Sequence, residues 1–204
     1  MKKQLLLLGF ACLAFGLSNS FAQTTFGVKA GANIADVNFD TGSSITLNPD
    51  VLVGFYAGGF ARLGVSSKFS VQPELLLSLQ GFKFNLGELS EEGGDFEVSS
   101  KNLYLNLPVM ARFAATEALH LEAGPQVGLL LNSKGEIEGI SAEDEDSYKD
   151  IDFGVNVGAG YTLPMGLSIE ARYNFGLANI VEGLEDTDAS VTNRVLSFGL
   201  GYTF

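Results

Sequence analysis

The stretch NRVLSFGLGYTF, residues 193–204, alternates strictly between two kinds of side chain. One parity carries the large apolar and aromatic side chains, which are Leu196, Phe198, Leu200, Tyr202 and Phe204. The other parity carries small or polar ones, namely Ser197, Gly199, Gly201 and Thr203. Successive side chains of a β-strand point to opposite faces, so the pattern predicts a strand with one apolar face. Such a strand fits the end of an outer-membrane barrel or of a soluble sandwich.

Seven further alternating segments precede this one. Together the eight predicted strands lie near residues 25–38, 51–63, 69–84, 101–113, 119–131, 151–161, 167–177 and 192–204. Short connections (64–68, 114–118 and 162–166) alternate with long ones (39–50, 85–100, 133–150 and 178–191). Short turns on one rim and long loops on the other are typical of outer-membrane barrels. The sequence therefore predicts an all-β fold, an eight-stranded antiparallel up-and-down transmembrane β-barrel. We call its two rims the turn side, which carries both termini, and the loop side.

The two faces of these strands differ in composition. One is apolar, as at Val53 and Phe55, whereas the other is glycine, amide or hydroxyl, as at Gly27 and Gly31. A soluble lipocalin-like barrel would expose the second face to water, but such surfaces are usually rich in Lys, Glu and Thr. Tiny polar side chains suit a narrow lumen instead, so we expect the apolar face to contact lipid. Two interfacial belts of aromatic residues are then expected: Phe26, Phe69, Phe113, Tyr161, Tyr202 and Phe204 on the turn side, and Phe55, Phe153, Tyr173 and Phe175 on the loop side.

Three prolines interrupt the strand pattern. Pro73, Pro108 and Pro125 each lack the N–H that a closed barrel takes from every residue. All three fall a similar distance from the turn side. We expect them to lie at one height and to mark a bulge or a locally widened ladder.

The amino-terminal segment predicts export. Lys2 and Lys3 precede a short apolar run, and a small-residue exit follows at Ala22, which is typical of a secretory signal peptide. Residues 1–22 are the predicted signal peptide, cleaved after Ala22, and residues 23–204 are the predicted outer-membrane barrel domain. Cys12, the only cysteine, lies in the apolar run without a good lipobox, so we expect neither a lipid anchor nor thiol chemistry. The predicted location is the outer membrane of a Gram-negative bacterium.

Two internal motifs carry a family resemblance. QPELL at 72–76 with QGFK at 80–83, and LYLNLPV at 103–109 with RF at 112–113, resemble the third and fourth strands of the small outer-membrane barrels called the PorT family. GLGYTF at 199–204 is similar to the last strand of that family. The resemblance implies an OmpA- or OmpX-like barrel of eight strands and implies no catalytic residues. The family name comes from a member needed for protein secretion, a role that we do not carry over.

Charged residues also fall on the predicted lumen face, all in its turn-side half. They are Lys29, Arg62, Glu74, Arg112, Glu122, Glu170 and Arg172. An eight-stranded barrel is barely wide enough for its own side chains, and a lone buried charge is costly. We therefore expect these residues to pair with one another as a salt-bridge plug. The alternative is a path for ions or protons.

No enzymatic site is predicted. His120, the only histidine, should lie on the lumen side near the turn-side rim. A lipid hydrolase or acyltransferase would need a base beside a nucleophile at the outer leaflet, which is the opposite rim. We expect no catalytic residue, no cofactor and no metal centre.

Acidic residues are concentrated in the long connections, within 88–97, 136–150 and 182–188. The net charge of −12 becomes −14 when Lys2 and Lys3 are removed, which argues against a nucleic-acid partner. The run at 143–146 lacks the glycine and distal Glu of an EF-hand. These loops are expected either to be solvated surface or to bind divalent cations, which would bridge to lipopolysaccharide, or a basic protein partner.

The function predicted from these features is non-enzymatic, with a structural or cell-surface interaction role in the acidic loops. The alternative is a narrow pore or an accessory component of transport or secretion. The other predicted partners are outer-membrane lipid and the barrel-insertion machinery, which reads the final strand. The final strand resembles the carboxyl-terminal signal by which outer-membrane barrels are recognised for insertion, and this resemblance assigns the insertion signal to Phe198, Leu200, Tyr202 and Phe204.

Overall fold

The computed structural model describes residues 24–40, 50–85, 97–137, 140–143, 148–181 and 190–204. The predicted signal peptide lies outside the described residues, as do residues 41–49, 86–96, 138–139, 144–147 and 182–189 of the long connections. Nine strands are present: β1 (Thr24–Asp40), β2 (Asp50–Gly64), β3 (Phe69–Asn85), β4 (Glu97–Ala114), β5 (Leu119–Ile137), β6 (Ile140–Glu143), β7 (Ile151–Thr162), β8 (Leu167–Gly176) and β9 (Ser190–Thr203). The described part of the chain contains no helix that is long and apolar enough to cross a bilayer.

Eight of these strands form one closed antiparallel sheet, which confirms the predicted architecture. Neighbours in sequence pair with each other, and β4 pairs with β5 as well as with β3. The first and last strands close the barrel, with Gly31 opposite Gly199 and Ala32 opposite Phe198. Closure removes both free edges, so every strand finds partners on two sides. The ninth strand, β6, pairs only with the loop-side end of β5.

Two strands extend further at their loop-side ends than the sequence pattern predicted. β4 begins at Glu97 rather than at 101, and β5 ends at Ile137 rather than at 131. Their ladder continues from Leu103↔Asn132 to Val98↔Ile137, and β6 then extends it. The hydrophobic alternation fades there because this part of the sheet lies beyond the apolar band, but backbone pairing needs no such alternation. The predicted loops at 85–100 and 133–150 are therefore partly strand.

The outer surface of the barrel is apolar. Leu200 is 53% exposed and Phe204 is 73% exposed, and the apolar residues on the same face of the other strands are exposed or, as on β4, half-buried. Aromatic rings meet near both rims, where the Phe69 and Phe113 centroids are 5.0 Å apart and the Tyr173 and Phe175 centroids 4.4 Å. An exposed apolar surface of this extent marks contact with a nonpolar environment. The polarity that the sequence predicts for the two faces is confirmed.

The three prolines lie at one height, as predicted, and they interrupt the strand pairing without forming a bulge. Between β3 and β4, regular pairing stops after Pro73 and resumes at Leu76 in the same register. Between β4 and β5 it is interrupted between Pro108 and Ala111, opposite Pro125, again without a shift. The register shifts that do occur lie at the loop-side ends of β2 and β4. The missing N–H groups are therefore accommodated by local interruptions of the pairing, with no change of register.

Candidate functional site: the barrel interior

At the glycines of β9, the interior leaves no room for a larger side chain in place of glycine. A Cβ atom on Gly199 would lie 2.1 Å from the hydroxyl oxygen of Tyr56, and one on Gly201 would lie 2.6 Å from Oγ of Ser168. Gly31 is similarly confined, because its Cβ would lie 2.7 Å from the Tyr56 ring. These contacts leave no open bore beside the last strand. The glycines instead make room for side chains that cross the lumen from other strands.

A buried salt-bridge network fills the turn-side half, and Glu74 lies at its centre. Lys29 Nζ lies 3.0 Å from one oxygen of Glu74, and Arg172 donates to both oxygens at 2.8 and 2.9 Å. The three residues come from β1, β3 and β8, which are far apart in sequence. The Glu74 side chain is fully buried, so its charge is balanced by these two cations rather than by water.

The other two carboxylates connect the network across the lumen. Glu170 accepts from Lys29 at 2.6 Å, and Glu122 accepts from Arg172 at 2.7 Å. Arg112 lies between these acids, 3.8 Å from Glu122 and 3.9 Å from Glu170, distances at which attraction is electrostatic without a hydrogen bond. Six of the seven predicted lumen charges are thus brought together.

The seventh charge, Arg62, is tied to the network only through an amide. Its Nε donates to Oε1 of Gln72 at 3.0 Å, and Arg112 donates to the same oxygen. Gln72 in turn donates to Glu74 at 2.8 Å. The guanidinium carbon of Arg62 lies 5.4 Å from the centroid of the Phe60 ring, within the range of a cation–π contact. No salt bridge to Arg62 is found among the described residues.

His120 is buried at the turn-side end of this network. Its Nε2 lies 3.9 Å from Glu170, too far for a hydrogen bond, and has no hydrogen-bond partner in the structure. A Cβ on Gly160 would lie 2.5 Å from that nitrogen, so a glycine is needed opposite the ring. The histidine therefore packs within the charge network at the rim that carries the short turns.

Above the charges, the middle of the lumen is filled by amides and hydroxyls. Asn174 donates to Asn156 at 3.1 Å, and Asn156 donates to Gln126 at 3.1 Å. Asn33 donates to Ser78 at 2.9 Å. A cavity of about 30 Å³ remains between them. Since a water needs a cavity of roughly 10–15 Å³, the space suits one or two waters rather than a continuous aqueous channel.

The loop-side end of the interior contains an apolar cluster, which the sequence analysis did not predict. Its buried residues are Val37, Tyr148, Ile180 and Val191, with Phe39, Phe82, Leu130 and Val181 packed against them. Val37 and Val191 belong to the wall, whereas Tyr148 and Ile180 belong to the connecting segments. The amide of Ile180 donates to the carbonyl of Val191 at 2.9 Å, and Tyr148 hydrogen-bonds Ser100 at 2.8 Å. We call these eight residues the apolar cap.

Sequence reasoning missed two contributors to the turn-side interior, Tyr56 and Phe60, which share the lumen parity of β2. Parity placed Gln72 on the lumen face of β3, but its hydrogen bonds to Arg62 and Arg112 were not predicted. A signal was present, because Gly31 lies opposite Tyr56 and Gly27 opposite Phe60 in the β1–β2 register. Cross-strand pairs of an aromatic residue with a glycine are a recurring device in barrels.

The four residues assigned to the insertion signal share the outward face of β9. Phe198, Leu200, Tyr202 and Phe204 are each at least 45% exposed. The rings of Tyr202 and Phe204 are in edge contact, with centroids 5.6 Å apart. Phe204 is also anchored through its backbone, because its N–H donates to the carbonyl of Phe26 at 2.9 Å. This segment therefore helps to complete the turn-side rim.

Comparisons with known proteins also indicate an outer-membrane β-barrel. The family model described as "Outer membrane protein beta-barrel domain" matches residues 21–182. Neisserial surface protein A has a similar crystal structure, with 17% identity and a TM-score of 0.52, covering 89% of this chain and 99% of that one. Ail of Yersinia pestis in complex with the heparin analogue sucrose octasulfate gives 15% identity, a TM-score of 0.50 and the same two coverages. At these identities the likeness concerns the fold alone. No curated protein sequence matches the chain.

Proposed function

Because the chain belongs to the family of outer-membrane protein β-barrel domains, we propose that it is a non-enzymatic surface protein whose role lies in its acidic extracellular loops. The role is structural or interactive, carried by the connections on the loop side. The turn side then faces the periplasm, as it does in barrels of this class. The rigid closed barrel is the support, and the loops carry specificity.

The observation that carries this proposal is the filled interior. The charge network, the amide layer and the apolar cap succeed one another along the lumen, and the cavity between them is about 30 Å³. A transport role for the bore would need a continuous aqueous path, which this packing disfavours. The alternative of a narrow pore therefore loses support, and an accessory part in secretion would have to act through the same outer surfaces.

The charge of the loops suggests what they contact. Acidic residues are concentrated in three of the four long connections: Glu88, Glu91, Glu92, Asp95, Glu97, Glu136, Glu138, Glu143, Asp144, Glu145, Asp146, Asp150, Glu182, Glu185, Asp186 and Asp188. The structure of Ail holds a sulfated, anionic ligand. The opposite charge is expected of the partner here, because like charges repel. We therefore favour divalent cations bridging to lipopolysaccharide, or a basic protein segment.

A loop-neutralised variant tests this function. Replacing the run at 143–146 and the acids of 182–188 by the corresponding amides should reduce binding of calcium, or of an octalysine peptide, at least tenfold in calorimetric titrations in uncharged detergent. The matched control rearranges residues 41–49, which carry no charge. Equal binding by wild type and the neutralised variant, or no binding of either probe at millimolar concentration, would contradict the proposal.

Three finer assignments accompany the proposed function. We assign residues 1–22 as a signal peptide cleaved after Ala22, which mass spectrometry of the exported protein tests. Within the family, the motifs at 72–83 and 103–113 favour a PorT-like subgroup, and an alignment of related chains that lack both motifs would count against it. The outward face of β9 is proposed as the insertion signal, and normal assembly of a chain without Phe204 would refute that role.

A further inference from the structure

The charges in the turn-side half of the barrel interior do not balance. Lys29, Arg62, Arg112 and Arg172 face three carboxylates, Glu74, Glu122 and Glu170. Each carboxylate already has two cations within 4 Å, as Glu74 has Lys29 and Arg172. Arg62 has no carboxylate at that distance among the described residues. The turn-side network thus carries one positive charge in excess, on Arg62, whereas the buried Asp152 lies farther towards the loop side and accepts a hydrogen bond from Asn193.

The surroundings of Arg62 leave its hydrogen-bonding capacity incomplete. Its Nη2 is buried and has no hydrogen-bond partner. Its Nε shares the single oxygen of Gln72 with Arg112, so two guanidinium groups are held close together by one neutral acceptor. Gln72 is itself completely buried, and its nitrogen is engaged by Glu74. Arg112 has Glu122 and Glu170 within 4 Å, whereas Arg62 has no carboxylate at that distance among the described residues, so the cost of burying the Arg62 charge is the less well offset of the two.

A cavity opens beside these groups at the turn-side mouth. Its volume is about 210 Å³, several times that of the cavity in the middle of the lumen. Arg62, Arg112 and Lys68 supply positive charge to its lining, against a single acid, Glu117. The hydroxyls of Ser70 and Thr162 lie on its wall and can donate hydrogen bonds. The lining combines guanidinium and hydroxyl donors, which is the chemistry that binds oxyanions.

We propose that this cavity binds a small oxyanion, a carboxylate or a phosphate group, that pairs with Arg62. The anion pairs with the part of the Arg62 guanidinium that lines the cavity and neutralises the excess charge of the turn-side network. A guanidinium presents its N–H groups as a planar fork that matches a carboxylate or a phosphate. The site lies at the opposite end of the barrel from the acidic loops, so it is independent of their role. Ligands reach it from the periplasmic side.

Titration of the folded protein in uncharged detergent tests the site. Sodium acetate and sodium phosphate are added separately at constant ionic strength, with acetamide as the neutral analogue of acetate. We expect wild type to bind at least one of the two anions and not acetamide. Whichever of the two anions binds, acetate or phosphate, identifies the ligand group as a carboxylate or a phosphate. Arg62→Gln should weaken that binding at least tenfold.

The matched control is Arg194→Gln, which removes an arginine from the loop-side end, 3.2 Å from Asp36. It should leave anion binding unchanged within about twofold. Arg62→Gln is expected to fold, because no carboxylate loses a partner, and its heat-dependent gel mobility checks this. In wild type, the Nε resonance of Arg62 should shift with the binding isotherm. The proposal is overturned if neither anion binds, if Arg62→Gln binds as wild type does, or if that resonance stays fixed while the anion binds.

Discussion

Replacing Glu74 by Gln is expected to lower the free energy of unfolding by about 3–5 kcal/mol, the usual cost of removing one partner from a buried ion pair. Glu74 accepts from both Lys29 and Arg172, and all three side chains are shielded from water. The neutral amide keeps the shape of the carboxylate but leaves the two cations without their common counterion. The effect should therefore exceed what the loss of a hydrogen bond alone would produce. Urea titration of the protein folded into phosphatidylcholine vesicles measures it.

The control for Glu74→Gln is Lys101→Gln. Lys101 pairs with Glu136 near the loop-side end of β4 and β5, where both side chains are partly exposed. Surface pairs of this kind contribute about 0–1 kcal/mol. If the two variants destabilise the barrel equally, the network does not hold the strands together in the way that the buried geometry indicates.

Leu200→Arg is expected to destabilise the folded barrel by about 2–4 kcal/mol in vesicles, as charged residues do near the middle of the lipid-facing band. Leu200 lies on the outward face of β9, between Phe198 and Tyr202, and its strand pairs with β1 and β8 on either side. An arginine here cannot turn into the lumen, because the period of two fixes the face. Equilibrium unfolding in urea with and without the substitution gives the difference.

Val65→Arg is the matched control for Leu200→Arg. Val65 is 69% exposed in the short turn between β2 and β3, outside the apolar band. A charge at this position reaches water, so its effect should stay within about 0.5 kcal/mol, as for most surface substitutions. A water-soluble barrel would tolerate both substitutions equally, and that result would contradict the lipid-facing assignment.

The alternation of apolar and small polar side chains with a period of two was enough to predict the barrel and to predict which face of each strand points outwards. Alternation assigns Leu200 and Gly201 to opposite sides whatever the neighbouring strand is, and closure follows from eight strands with short and long connections in turn. The same parity placed Lys29 and Glu74 in the lumen. Parity states only the face of a residue, so it could not predict which cation meets which carboxylate. Lys29 meets Glu170 across 141 residues of sequence, and that contact depends on the closing pair β1–β9.

The apolar cap could not be predicted from the sequence, for a different reason. Val37 and Val191 continue the lumen parity of their strands but are apolar, which breaks the rule that this face is polar. Tyr148 and Ile180 lie in connections, where no periodicity indicates that a side chain turns inward. A backbone bridge between Tyr148 and Val181 joins the two connections, and such long-range pairing leaves no local signal. The bonding role of Gln72 was not predicted, because parity places this amide on the lumen face without indicating that two arginines converge on it.

Planar-bilayer recording of the purified, folded protein tests the central claim most directly, because that claim is that the barrel is filled and acts through its outer surfaces. The charge network and the apolar cap predict no steady conductance above that of the bare membrane, at neutral pH and ordinary salt. Brief, rare openings would remain compatible with motion of the cap. A large and steady conductance from most of the inserted molecules would contradict the account.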